Sequence, residues 1–349
     1  MMLPAILLLL IKFFIDLRYR KAQEENLRTS NYHCMGIFDF FSKKKDVNLK
    51  DTQTQQGDKA ISKWDMEKED TPQVDADILL EKIEVVPGLI LPRAFANHWP
   101  ELSQTRTPFI QIKASPVAEL TPGQSKFGSF PKLPLNFPYP KNQMGEYMFP
   151  LAQINFRELP PMPGYPRTGY LQFYISSDDT YGYRFDNHPN DFRVLFFEEA
   201  EVESFQTDFG FLEPIMQSDS VPVFEPHALH FELKDEYFGL GNVSNQMNPG
   251  ISLEQIAAQY DDELEEELMT FAYDHFTPSG HKLGGYAYFT QTDPRQYREG
   301  KDKEFVLLFQ IDSGERILWG DAGVANFFIH PDDLAKKDFS KAFYTWDCS

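Results

Sequence analysis

The chain has 349 residues, 33 Lys/Arg against 53 Asp/Glu, and a net charge of −20, a balance that repels phosphate backbones and argues against a nucleic-acid partner. A 42% hydrophobic and 25% charged composition is that of a globular protein and excludes a fibrous or wholly disordered chain. With 32 Phe, 16 Tyr, 25 Pro and 20 Gly, the sequence predicts many short strands joined by punctuated turns.

The charge is uneven along the chain. Residues 1–60 hold 10 Lys/Arg and 7 Asp/Glu, whereas the remainder holds 23 and 46. Residues 1–15 form an apolar run broken by Lys12, short for a membrane span. Read as an anchor, it would keep the following body cytoplasmic through Arg18, Arg20 and Lys21. The competing reading starts the natural protein at Met35, whose MGIFDFFSKKK stretch resembles a cytosolic N-terminus. The polar residues that follow, up to about 75, read as a linker. Cys34 and Cys348 show neither CxxC nor Cys/His metal spacing, a pattern that suits a reducing compartment and gives no disulfide framework; no metal and no cofactor are expected.

From residue 76 to the C-terminus the pattern predicts one α+β domain. A short helix is expected over 74–82, a helical patch at 93–99, and an alternating strand at 109–112. Two segments then echo each other. Lys126-Phe-Gly-Ser-Phe130 is matched by Lys282-Leu-Gly-Gly-Tyr286, Gln153-Ile-Asn155 by Gln310-Ile-Asp312, and the apolar run from Gly169 by that from Gly323. The offsets are 156, 157 and 154 residues, so the domain reads as a β-rich duplication, with half-repeats over about 109–200 and 281–349. Between them, Ser252-Leu-Glu-Gln255 reads as a capping box opening one long helix. Its apolar stripe runs from Leu253 to Phe271, and its other face is acidic.

No GxSxG, P-loop, HExxH or EF-hand pattern is present. The spacing of His227 and His230 would suit a metal on a helix, but the alternation around them predicts a strand, which turns the two rings to opposite faces. The richest polar cluster opens the second half-repeat: Lys282, then Gln291, Asp293 and Arg295 behind an expected strand at 286–289. Pro294 holds Asp293 extended, so Arg295 can pair with it or meet a ligand anion. Trp319 and Asp321 flank a permissive glycine. If Asp293, Arg295, Trp319 and Asp321 converge, they form a polar small-molecule pocket between the repeats, with Lys282 and Gln291 as further candidate ligand-binding residues. Otherwise the acidic body points to a binding or interaction role, of an immunity or regulatory kind, toward a protein with a basic face.

The Lys282–Tyr286, Gln291–Arg295, Leu307–Asp312 and Trp319–Ile329 motifs, with the first-copy segments 125–131 and 150–156, resemble the YwqG-like bacterial family of unknown function. The resemblance spans about residues 80–349. It implies an α+β fold and a soluble, duplicated, bacterial protein, and it supplies no catalytic residue. Two features depart from that pattern: the long N-terminal extension, and Ser129 where a second glycine is usual.

Overall fold

A computed structural model describes residues 75–184, 191–239, 252–298 and 304–348. Residues 1–74, which carry the anchor, Met35-start and linker expectations, lie outside the described residues. No helix among the described residues is long and apolar enough to cross a membrane.

The chain enters through helix α1 (Ala76–Leu80), which the Asp75 carboxylate caps by accepting from the Asp77 N–H at 3.1 Å. Strands β1 (Lys82–Val86) and β2 (Leu89–Pro92) pair around Gly88, which takes a positive φ of 83°. The helix expected over 74–82 is therefore shorter, since Lys82 already belongs to the hairpin. Two single-turn helices, α2 (Arg93–Ala96) and α3 (Trp99–Leu102), lead into β3 (Thr107–Pro116), which extends the strand expected at 109–112 on both sides.

The remaining strands follow in order: β4 (Lys126–Phe127), β5 (Phe149–Asn155), β6 (Tyr170–Ile175), β7 (Phe192–Phe197), β8 (His227–Glu236), β9 (His281–Gly284), β10 (Val306–Asp312), β11 (Val324–Ile329) and β12 (Phe343–Asp347), with the single-turn helix α4 (Glu213–Met216) between β7 and β8. With β3 they make one antiparallel ten-stranded sheet, ordered β12-β11-β10-β9-β3-β8-β4-β5-β6-β7. The long strands β3 and β8 pair over ten residues at its centre, and each meets a short strand on its other side. The sheet curls until it is nearly closed and barrel-like, with Phe192 of the β7 edge packed against Tyr344 of the β12 edge at 5.5 Å. Inside, Phe173 lies 4.6 Å from Phe309 and 4.8 Å from Phe327, so rings from both arms of the sheet share one core. Burying each such ring contributes about 1.5–3 kcal/mol.

A second core lies outside the sheet. There α1 and α2 pack with α5 (Leu253–Ala257) and α6 (Asp262–Phe276) through Leu79, Phe95, Ile256 and Leu268. One continuous helix from Leu253 is not formed. The capping box at Ser252 and Gln255 is present, but the chain leaves helical geometry after Ala258 and restarts at Asp261. Asp261 is extended, and its carboxylate accepts the Leu264 N–H at 3.0 Å, so a second cap competes with continuation.

Candidate functional site

The chemistry of the sheet is set by polar residues placed singly in apolar strands. Directly opposed residues share a face of a sheet. Gln111, Lys282, Gln310, Asn326 and Thr345 stand opposite one another across β3, β9, β10, β11 and β12. They therefore form one polar row on the outer face, and Lys282, Gln310, Asn326 and Thr345 are buried. In the other arm Lys126, Gln153 and Gln172 stand opposite one another across β4, β5 and β6.

The glutamines at the centre of the two rows make matching hydrogen bonds. Gln153 Nε2 donates to the carbonyls of Pro122 and Gln124 at 2.9 and 2.8 Å, and its Oε1 accepts from the Lys132 N–H at 2.7 Å. Gln310 Nε2 donates to the carbonyls of Pro278 and Gly280 at 3.0 and 2.8 Å, and its Oε1 accepts from the Tyr288 N–H at 2.7 Å. Gln172 Nε2 donates to the Lys132 carbonyl at 2.9 Å, as Asn326 Nδ2 does to that of Tyr288 at 2.8 Å.

The two lysines differ. The Lys282 ammonium is buried against Glu236 of β8, at 2.9 and 3.1 Å from its two oxygens. Burial lowers the Lys282 pKa, which the carboxylate opposes, and raises that of Glu236, which the ammonium opposes. No carboxylate among the described residues touches the Lys126 ammonium. It donates to the Thr121 and Pro122 carbonyls, each at 3.1 Å, and burial pushes it down to about 8 despite the charge of Glu158.

Segment 285–298 lies over the second row. It is not a strand at 286–289, because Gly284 and Gly285, at φ 69° and 73°, turn the chain out of the ladder. Gln291 anchors it to the end of β12: its N–H donates to Asp347 at 3.0 Å and its Nε2 to the Cys348 carbonyl at 2.6 Å. Asp347, which also accepts the Thr290 N–H, is pushed up to about 6 by burial. Asp293 and Arg295 pair with each other: Nη2 and Nε donate to the carboxylate at 2.7 to 3.1 Å, Nη1 donates to the Phe305 carbonyl, and the guanidinium sits 4.6 Å above the Phe328 ring. Four of the six sequence-predicted residues thus gather on one outer face, each engaged within the chain. Trp319 and Asp321 do not join them. Trp319 is fully buried in the inner core, edge-on to Tyr181 at 5.2 Å, and Asp321 is half-buried in the turn closed by the Gly323 N–H on the Trp319 carbonyl.

Sequence reasoning passed over Gln111, Asn326, Thr345, Glu236 and Asp347. The signal for the first two was a lone amide inside an apolar strand, as in Phe109-Ile-Gln-Ile112. As the alternation predicts, His227 and His230 lie on β8, the first buried and the second exposed. Among the described residues no cluster of His, Cys, Asp or Glu is arranged to hold a metal ion.

One cleft, of about 220 Å³, opens where β4 stops alongside β8. It is lined by Gln124, Ser125, Glu158, Ala228, Leu229, His230 and Phe231. The Glu158 carboxylate accepts the Ser125 N–H at 2.9 Å, and the Ser125 hydroxyl accepts the Asn155 N–H at 2.8 Å.

The model of a domain of unknown function, DUF1963, matches residues 125–348, which is nearly the whole ten-stranded sheet and well over half of the chain. No curated protein matches the chain at a significant level.

Proposed function

We propose that this chain, which belongs to the DUF1963 family, is a binding protein for a partner with a cationic face, working in the bacterial cytosol. One observation carries this reading. Asp262, Glu263, Glu266 and Glu267 are exposed on α6, and none takes part in an ion pair among the described residues. They lie on a body with 46 Asp/Glu against 23 Lys/Arg after residue 60. Such a surface raises the encounter rate with cations and repels anions. The buried polar groups named above are largely engaged with one another, which leaves recognition to the surface. An immunity or regulatory role, in which a basic partner is masked, fits that chemistry.

Two related readings belong here. The arms of the sheet are copies of one unit, a reading supported by the matching bonds of Gln153 and Gln310. A polar small-molecule site around Lys282, Gln291, Asp293 and Arg295 is the second functional reading. It is favoured by Gln111 Oε1 and Asn326 Oδ1, buried acceptors on that row without a hydrogen-bond partner.

Titration of the full chain with a lysine-rich polypeptide tests the main reading. Affinity is expected to fall steeply with added salt, and to drop at least about tenfold when Asp262, Glu263, Glu266 and Glu267 are changed together to their amides. Binding that ignores both salt and the fourfold variant overturns the reading.

A further inference from the structure

We propose that the outer edge of β8, from Leu229 to Glu236, receives an extended segment of the cationic partner by strand addition. This deepens the binding reading above and rests on it.

β8 is paired with β3 along its whole length, from His227 opposite Pro116 to Glu236 opposite Thr107. On its other side β4 pairs only at Ala228 and His227. From Leu229 onward, no other described strand lies along that side of β8, and no turn or loop backbone donates to or accepts from residues 229–235. A strand's main chain presents alternate N–H and C=O groups to each side, so this edge is a ready template for another strand. Natural edges of this length are usually blunted by charged side chains, proline, a bulge or a covering element; here Glu232 and Lys234 lie on the outer face, paired with each other, and Glu232 also with Lys113 of β3. This one contains no proline, and its pairing with β3 runs without a register shift.

The side chains at the edge point the same way. Leu229, Phe231 and Leu233 stand opposite Ala114, Ile112 and Ile110, on the core side of the sheet. Ile110 is fully buried, yet Leu233 opposite it remains 44% exposed, because nothing flanks it on the open side. The cleft at Ala228–Phe231 sits where an added strand would continue the line of β4 beyond Ser125. A segment with alternating apolar and basic residues fits both features: its apolar side chains cover Phe231 and Leu233, and a basic side chain meets Glu158. Main-chain bonds supply affinity, and alternate side chains supply selectivity.

Hydrogen exchange of the full chain tests this, with a synthetic peptide of alternating Val and Lys as the probe. Exchange of the alternate amides between Leu229 and Glu236 that face away from β3 is expected to slow at least about tenfold on saturation. The same peptide N-methylated on alternate amides is expected to have no effect, and an alternating Val/Glu peptide to bind more weakly. Leu233→Lys, a change at an exposed side chain, is expected to abolish the protection while leaving the unfolding midpoint close to that of the parent. Unchanged exchange at 229–236, equal protection by the N-methylated peptide, or protection already complete without peptide overturns the proposal. Salt-dependent peptide binding that protects α6 instead leaves the cationic-partner reading standing and removes the β8 edge alone.

Discussion

Lys126 and Lys282 occupy corresponding places in the two arms, each opposite a glutamine, yet their charges are handled differently. Lys282 lies against Glu236, whereas Lys126 rests on two carbonyls. Removing one partner of a buried pair strands the other charge, at a cost of about 3–5 kcal/mol. Losing bonds to carbonyls costs about 1–3 kcal/mol. Lys282→Met is therefore expected to destabilise the protein clearly more than Lys126→Met in urea unfolding, and Glu236→Gln, which removes the stranded charge but still accepts the Tyr286 N–H, to recover part of the loss when added to Lys282→Met. Equal effects of the two single changes would refute this account. The lysines themselves were legible in the sequence as a repeated Lys-apolar-Gly motif. The identity of the Lys282 partner was not, because Glu236 lies 46 residues away on a strand that reaches β9 only across β3.

At the scale of elements, most strands followed their patterns and the helices did so in part: the patch at 93–99 is helical, but the long helix from Leu253 is divided. The apolar runs at Phe149–Asn155, Tyr170–Ile175, Val306–Asp312 and Val324–Ile329 all form strands where alternation and glycine punctuation place them. The stripe from Leu253 to Phe271 is continuous in period, but a period carries no information about an internal cap. Asp261 divides the stripe into α5 and α6. Asp261→Ala is expected to cost about 1 kcal/mol. Because Asp261 starts the longer helix, hydrogen exchange is expected to show the loss first in the opening turn of α6; loss confined to its C-terminal turn would contradict the capping role. The expected strand at 286–289 failed for the opposite reason: Gly284 and Gly285 look like an ordinary turn signal, but their positive φ angles lift the chain off the sheet and over the polar row.

For the whole molecule, the decisive feature is that both arms of the sheet line one interior. Phe173 from β6 contacts Phe309 and Phe327 from β10 and β11, and the edge strands meet through Phe192 and Tyr344. Neither arm can bury its inner face alone. Thermal unfolding followed by far-ultraviolet circular dichroism and by the fluorescence of Trp319 and Trp346 is therefore expected to give one coincident transition. Two separated transitions would show the arms to be independent units. The sequence by itself determined what depends on local pattern: the strand-rich class, the repeated motifs, the acid surplus, and the strand rather than helix at His227–His230. Only the tertiary structure decided which residues meet. Trp319 and Asp321, expected to converge with Arg295, lie apart from it: both sit in the connection between β10 and β11, from which the Trp319 ring enters the inner core, whereas the polar row is assembled on the outer face across five strands. The open edge of β8 was likewise invisible, since a strand's exposure on one side is set by where its neighbour β4 ends.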